Sequence, residues 1–168
     1  AAFGFDIQHA LQLGRNHITI RVEDSLSWTQ PRGKQAGTTR WPIDYDGVTG
    51  IWQSVWLEPL PTVSIESTSY AYEVDKQSLH YKVFLSEHVD GEVSLEILDG
   101  DGVVASDTVQ TSGRAEVRTT LAIETPKLWS PEQPYLYEVR LTLLNHATGE
   151  RDQAMSYTGL REVSVIDG

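Results

Sequence analysis

From residue 61 onward the sequence is cut at short intervals by turn chemistry. Val89-Asp90-Gly91, Asp99-Gly100-Asp101-Gly102, Thr111-Ser112-Gly113 and Ala147-Thr148-Gly149 each place glycine beside a small polar residue. Asp-Gly pairs of this kind favour tight hairpins, because glycine enters the left-handed backbone region that other residues avoid. The runs between the turns are too short for long helices and are patterned with a period of two. They predict strands over Val63–Tyr72, Ser78–Ser86, Glu92–Leu98, Val103–Val109, Ala115–Ile123, Tyr135–Leu144 and Asp152–Tyr157, with a terminal strand Leu160–Val165. Seven or so turn-punctuated strands point to an all-β, immunoglobulin-like sandwich spanning residues 61–168. The chain has no cysteine, so core packing alone must hold such a sandwich, and thiol chemistry is excluded.

Residues 1–60 read differently. Asn16–Asp24 alternates Ile18, Ile20 and Val22 with Thr19, Arg21 and Glu23, which predicts a strand with one buried face. Phe3–Ile7 also reads as a strand, and Leu13-Gly14-Arg15-Asn16 as a turn with a left-handed glycine. Thr49–Pro59, TGIWQSVWLEP, predicts a heavily buried strand with Trp52 and Trp56 in a core. Between them Ser25–Thr49 has no periodicity. A loop of that length in a compact domain is usually functional or disordered, and Trp28, Trp41 and Tyr45 argue against disorder. Three strands cannot close a sandwich, so residues 1–60 read as the end of a larger β domain with an exposed sheet edge, open to dimerisation. Pro59-Leu60-Pro61 marks the boundary, since flanking prolines stiffen a link and remove ladder donors.

Net charge is −11, and it is lopsided. Residues 1–60 carry five Lys/Arg against six Asp/Glu, and residues 61–168 carry eight against eighteen. Such an acidic surface disfavours nucleic acid and anionic membrane, whose phosphates need clustered cations. No apolar run reaches the roughly 20 residues of a membrane-spanning helix. His9, His17, His80, His88 and His146 are scattered without ligand spacing, so no metal and no cofactor is expected. Asp99-Gly100-Asp101-Gly102 lacks the length and downstream glutamate of a calcium loop and reads as a hairpin turn. Composition leaves the compartment open.

Several strings, taken in order, resemble one known family. Pro31-Arg32-Gly33-Lys34-Gln35 and TGIWQSVWLEP are similar to the loop and last strand of the sugar-binding jelly roll in glycoside hydrolase family 2, which includes β-galactosidases, β-glucuronidases and β-mannosidases. Pro126-Lys127-Leu128-Trp129-Ser130-Pro131, followed by Tyr135-Leu136-Tyr137, and Tyr157-Thr158-Gly159-Leu160-Arg161-Glu162-Val163 resemble segments of its immunoglobulin-like second domain. The resemblance implies residues 1–60 as the C-terminal, incomplete part of the jelly roll and 61–168 as the immunoglobulin-like domain. It implies hydrolysis of a β-glycoside with retention by two carboxylates roughly 5–5.5 Å apart. Both would lie in a catalytic barrel in cis rather than in this chain. Among its thirteen glutamates, Glu66, Glu92, Glu96, Glu116 and Glu138 alternate with apolar residues, as solvated strand faces do.

The same resemblance picks out Asp44, six residues before Gly50, as a group that reaches the substrate. A carboxylate accepts two sugar hydroxyls at once. Asp46 is the alternative, and Asp44-Tyr45-Asp46-Gly47 is itself turn-like. Trp41 and Tyr45 are the candidates for stacking on a sugar ring. Arg32 and Lys34 read as loop-holding cations or as partners of an acidic sugar. The expectation is a non-catalytic accessory region of a retaining glycoside hydrolase, bearing a substrate-site loop. The alternative is a stand-alone carbohydrate-binding or adhesion module with an immunoglobulin-like spacer.

Overall fold

The structure is a computed structural model, and it describes residues 3–24 and 49–165. The chain divides into two compact units, Ala1–Leu57 and Glu58–Gly168, and each is taken by itself.

The second unit is a seven-stranded antiparallel sandwich. Its strands are β1 (Ile65–Glu73), β2 (Ser78–Val89), β3 (Gly91–Asp99), β4 (Gly102–Gln110), β5 (Arg114–Ala122), β6 (Tyr137–Asn145) and β7 (Arg151–Thr158). One sheet has the order β1-β2-β5 and the other β4-β3-β6-β7, so the fourth strand joins the sheet of the third. The period-two pattern fixes the faces. Leu79, Tyr81 and Val83 of β2, Val93, Leu95 and Ile97 of β3, and Val139, Leu141 and Leu143 of β6 are buried together in one cluster. Alternate residues of β3 and β6 point outward, where Glu96 meets Arg140 at 3.1 Å and Glu92 accepts from Gln110 at 3.0 Å. Glu116 pairs with Arg118, and Glu66 and Glu138 are exposed. The glutamates on strands therefore occupy solvated faces.

Each open side of the sandwich carries an aspartate that bridges the sheets. On one side Thr119 of β5 donates its hydroxyl to Asp107 of β4. On the other, the Ile65 amide of β1 donates to Asp152 Oδ2 of β7 at 2.7 Å. An inward-turned charge on an edge strand also discourages pairing with another chain.

At one end of the sandwich three connections interlock. Thr111 is fully buried, donating its hydroxyl to Val89 O and accepting from Gly91 N at 2.9 Å. Thr111 N donates to Gly91 O at 2.8 Å, and Gly113 N to Val89 O at 3.1 Å. His146 N donates to Asp90 O at 3.0 Å, which ties the β6–β7 turn to the same knot. Gly91 is required there by space: a Cβ would lie 2.2 Å from the Leu144 carbonyl oxygen, a backbone atom that cannot swing aside.

At the opposite end, the long β5–β6 connection is braced against the β3–β4 turn. Asp99 takes the Lys127 ammonium on Oδ2 and the Tyr135 hydroxyl on Oδ1. Lys127 lies 4.6 Å over the Tyr135 ring, and its amide donates to Tyr137 OH at 2.8 Å. Hydrogen bonds from Lys127 and Tyr135 hold the Asp99 carboxyl below the usual carboxylate range. The same contacts raise Lys127 and Tyr135.

Several expectations from sequence are corrected. Among the described residues of the first unit there is a 3-10 turn, Gln8–Ala10, and no strand. Phe3–Ile7, Asn16–Asp24 and Thr49–Pro59 form no strand, and Ile18, Ile20 and Val22 are exposed. Trp52 and Trp56 are exposed at 87% and 67%, so they are not core. Period-two patterning specifies a face but does not supply the neighbour that completes a strand's ladder. The turn at Gly14 does form, with φ +94° and Asn16 Oδ1 accepting from Gln12 N at 2.9 Å. In the second unit Leu160–Val165 is not a strand: Leu160 alone makes a parallel bridge, to Leu128.

Two outcomes follow from these contacts. Gly91→Ala lowers stability by about 1–3 kcal/mol, because overpacking against backbone forces β3 from β6; urea unfolding of the chain measures it. Asp99 is depressed in the fold, so its contribution is full above the unfolded carboxylate value and fades as pH falls through the folded one. Lys127 and Tyr135 are raised, so theirs fades as pH climbs past their unfolded values. Asp99→Asn should therefore flatten both the acid and the alkaline limb of a melting-temperature profile against pH.

Candidate functional site

The loop residues named from sequence, Asp44, Asp46, Tyr45 and Trp41, together with Arg32 and Lys34, lie outside the described residues. The two residues flanking that segment do meet. Thr49 donates its hydroxyl to Asp24 Oδ2 at 3.2 Å. Beyond Thr49, Gly50 takes φ +146°, a backbone state that other residues rarely adopt.

The built site of the second unit is the end of the sandwich where the chain leaves β7. Two strings far apart in sequence meet there. Trp129, in the β5–β6 connection, donates its amide to Leu160 O at 2.9 Å, and Leu128 bridges Leu160 in parallel. Leu160 is fully buried in the core cluster. The Trp129 ring lies over Gly159: a Cβ there would sit 3.2 Å from ring atoms Cγ and Cδ1 and 3.3 Å from Leu136 Cδ2. The guanidinium carbon of Arg161 lies 4.8 Å from the centre of the same ring, within cation–π range. Glu162 then reaches back, its Oε2 accepting the Val74 amide at 2.9 Å.

Val74 belongs to the β1–β2 turn, which is charged. Glu73 holds Lys76 on one oxygen and His80 Nε2 on the other, both at 2.6 Å, and His80 Nδ1 lies 3.0 Å from Thr120 Oγ1. Bonds from Lys76 and then His80 depress the Glu73 carboxyl, while Glu73 and more weakly Glu162 raise Lys76. These groups hold a turn whose Gln77 has φ +50°. Sequence reading named both strings, Pro126–Pro131 and Tyr157–Val163, without their contact. It missed Glu73 and Val74, and the bond from Val74 to Glu162, because a bond spanning 88 residues leaves no local signature.

Among the described residues, no group of three or more His, Cys, Asp or Glu is placed to hold a metal. An open cleft of about 640 Å³ lies between β2, β4 and β5, with Glu66, His88, Arg114 and Arg118 around Phe84 and Val109. A shallower notch of about 310 Å³ is lined by Lys127, Leu128, Gln133, Pro134 and Tyr135. Glu116 lines the cleft as well, where it pairs with Arg118.

The profile of "Glycosyl hydrolases family 2" matches residues 63–161, more than half of the chain. A "Beta-galactosidase" of Pseudoalteromonas haloplanktis is 24% identical over 98% of this chain and 16% of its own length. A "Beta-glucuronidase" of Paenibacillus borealis is 29% identical over 97% of this chain and 29% of its own. Among solved structures, the β-D-glucuronidase of Dictyoglomus thermophilum shares a TM-score of 0.51 and 26% identity, covering 63% of this chain and 17% of that one. The chain thus spans less than a third of the length of these curated relatives. With its sandwich matched from Val63 through Arg161, the chain belongs to glycosyl hydrolases family 2.

Proposed function

We propose that this chain is the non-catalytic accessory region of a retaining hydrolase of β-glycosides. Residues 1–60 form the end of a sugar-binding jelly roll, and 61–168 form a rigid spacer that fixes it relative to a catalytic barrel in cis. The observation that carries this reading is that the chain is fastened where it enters the sandwich and again where it leaves, at opposite ends. On the way in, Ser64 O accepts from Ser86 N at 2.9 Å and Ser64 N donates to Ser86 Oγ at 3.0 Å. On the way out, Leu160, Arg161 and Glu162 are each held. Seven strands run between the two ends, and β1 has nine residues. At about 3.3 Å per residue that separates the ends by about 30 Å.

In this reading Asp44 or Asp46 accepts hydroxyls of the sugar, Trp41 and Tyr45 pack against its ring, and the acid/base and nucleophilic carboxylates belong to the barrel. A second copy can pair along the exposed apolar residues of 1–60, among them Ile18, Ile20, Val22, Trp52 and Trp56. The chain by itself is then inactive. Assay against nitrophenyl β-galactoside, β-glucuronide and β-mannoside should give no turnover above a heat-denatured control, and turnover would overturn the reading. Titration with oligosaccharide, followed by tryptophan fluorescence, should show no saturation at micromolar concentration. Saturation there favours the stand-alone binding module.

A further inference from the structure

We propose that Gly159–Glu162 works as a latched strap, with Trp129 as its positioning residue. The latch opens and closes as a unit separate from the unfolding of the sandwich. Four contacts define it: the Trp129 amide on Leu160 O, the Trp129 ring against Gly159, the Arg161 guanidinium over the ring, and the Val74 amide on Glu162. They come from two elements, the β5–β6 connection and the β1–β2 turn, and they grip successive residues of one segment. Gly159 is the residue that lets the latch close, since a side chain there meets the indole at 3.2 Å.

The strap is set apart from the sheets by its bonding. Past Thr158 the β6–β7 ladder has ended, and the strap's backbone bridge runs to Leu128 in parallel. Segments held by a few local bonds open with smaller free energies than strands paired on both sides. Only Leu160 is sunk in the core; Arg161 and Glu162 are exposed. The indole is half-buried, packing against Gly159 while the Arg161 guanidinium lies over its ring. When the latch is closed, Leu160 to Glu162 take one heading away from the sandwich, and the residues after Glu162 inherit it. When it is open, that heading is lost while the sandwich stays folded. The use of this device as a domain mount rests on the spacer reading above; the latch itself does not.

The Trp129 and Val74 amides report on the latch directly, because both donate into the strap. Hydrogen exchange of the full chain, read residue by residue by NMR, should find both protected. Gly159→Ala should speed exchange of both by about tenfold or more, while Val139 and Leu141 of β6 stay slow. Arg161→Gln should speed both as well, by a smaller factor. Trp129→Phe should restore protection that Trp129→Ala loses, and trypsin should cut after Arg161 faster in Trp129→Ala and Gly159→Ala than in the unsubstituted chain. If Trp129→Ala fails to fold, the Gly159 and Arg161 variants still decide. The proposal is overturned if both amides exchange freely in the unsubstituted chain, or if Gly159→Ala leaves them unchanged. Loss of β6 protection in step with theirs would overturn it as well, making the strap part of the global fold. None of these readouts involves glycoside hydrolysis, so their failure would leave the spacer reading standing.

Discussion

The apolar layer that β2, β3, β5 and β6 turn toward one another carries the whole second unit. Leu79, Ile97 and Val139 are wholly removed from water, and Leu95, Leu141, Leu143 and Tyr137 nearly so. At roughly 25 cal/mol for each Å² of apolar surface buried, this layer is the main favourable contribution, and no disulfide supplements it. Everything else in the sandwich acts by keeping the two sheets in register over that layer. The Asp107–Thr119 and Asp152–Ile65 bridges close its two open sides, and the Thr111 knot closes one end. The opposite end is closed by the Asp99 brace and by the strap that Trp129 holds.

Polar contacts are distributed accordingly. A buried carboxylate bridge would cost much of what it gives, since ions lose hydration on burial. Here the bridging acids sit at margins, where they order the edges without paying for full desolvation. The two buried side-chain atoms without partners among the described residues, Tyr72 OH and Thr158 Oγ1, lie at the end of the sandwich that bears the strap. Burial raises Tyr72 further from ionisation. The buried polar residues Ser64, Thr111 and Asn145 lie at the opposite end, with the Thr111 knot.

Much of the sandwich was legible from residue order. Hairpins at Asp99–Gly102 and Ala147–Gly149 fell where Asp-Gly and Thr-Gly pairs predicted them, with Gly100 and Gly149 at positive φ. Strand limits moved by a few residues because ladders end where partners end, as β2 shows by running on to Val89 past a bulge. Leu160–Val165 failed as a strand for the same reason: its apolar alternation found no neighbour except Leu128. The first unit shows the limit more sharply. Trp52 and Trp56 have every local mark of a core strand, yet burial is a property of what lies across from a residue, and both are exposed.

Sequence by itself determined the class of the fold, its turns, and the two strings that identify the family, because each rests on spacing along the chain. Tertiary structure alone decided that those strings, Pro126–Pro131 and Tyr157–Val163, form one device. It joined Thr49 to Asp24, and it brought Glu162 to Val74 across 88 residues. The physical reason is the same throughout. Period and turn chemistry are local, whereas a contact between distant segments is set by sheet order and by the space each neighbour leaves, as Gly159 leaves it for Trp129.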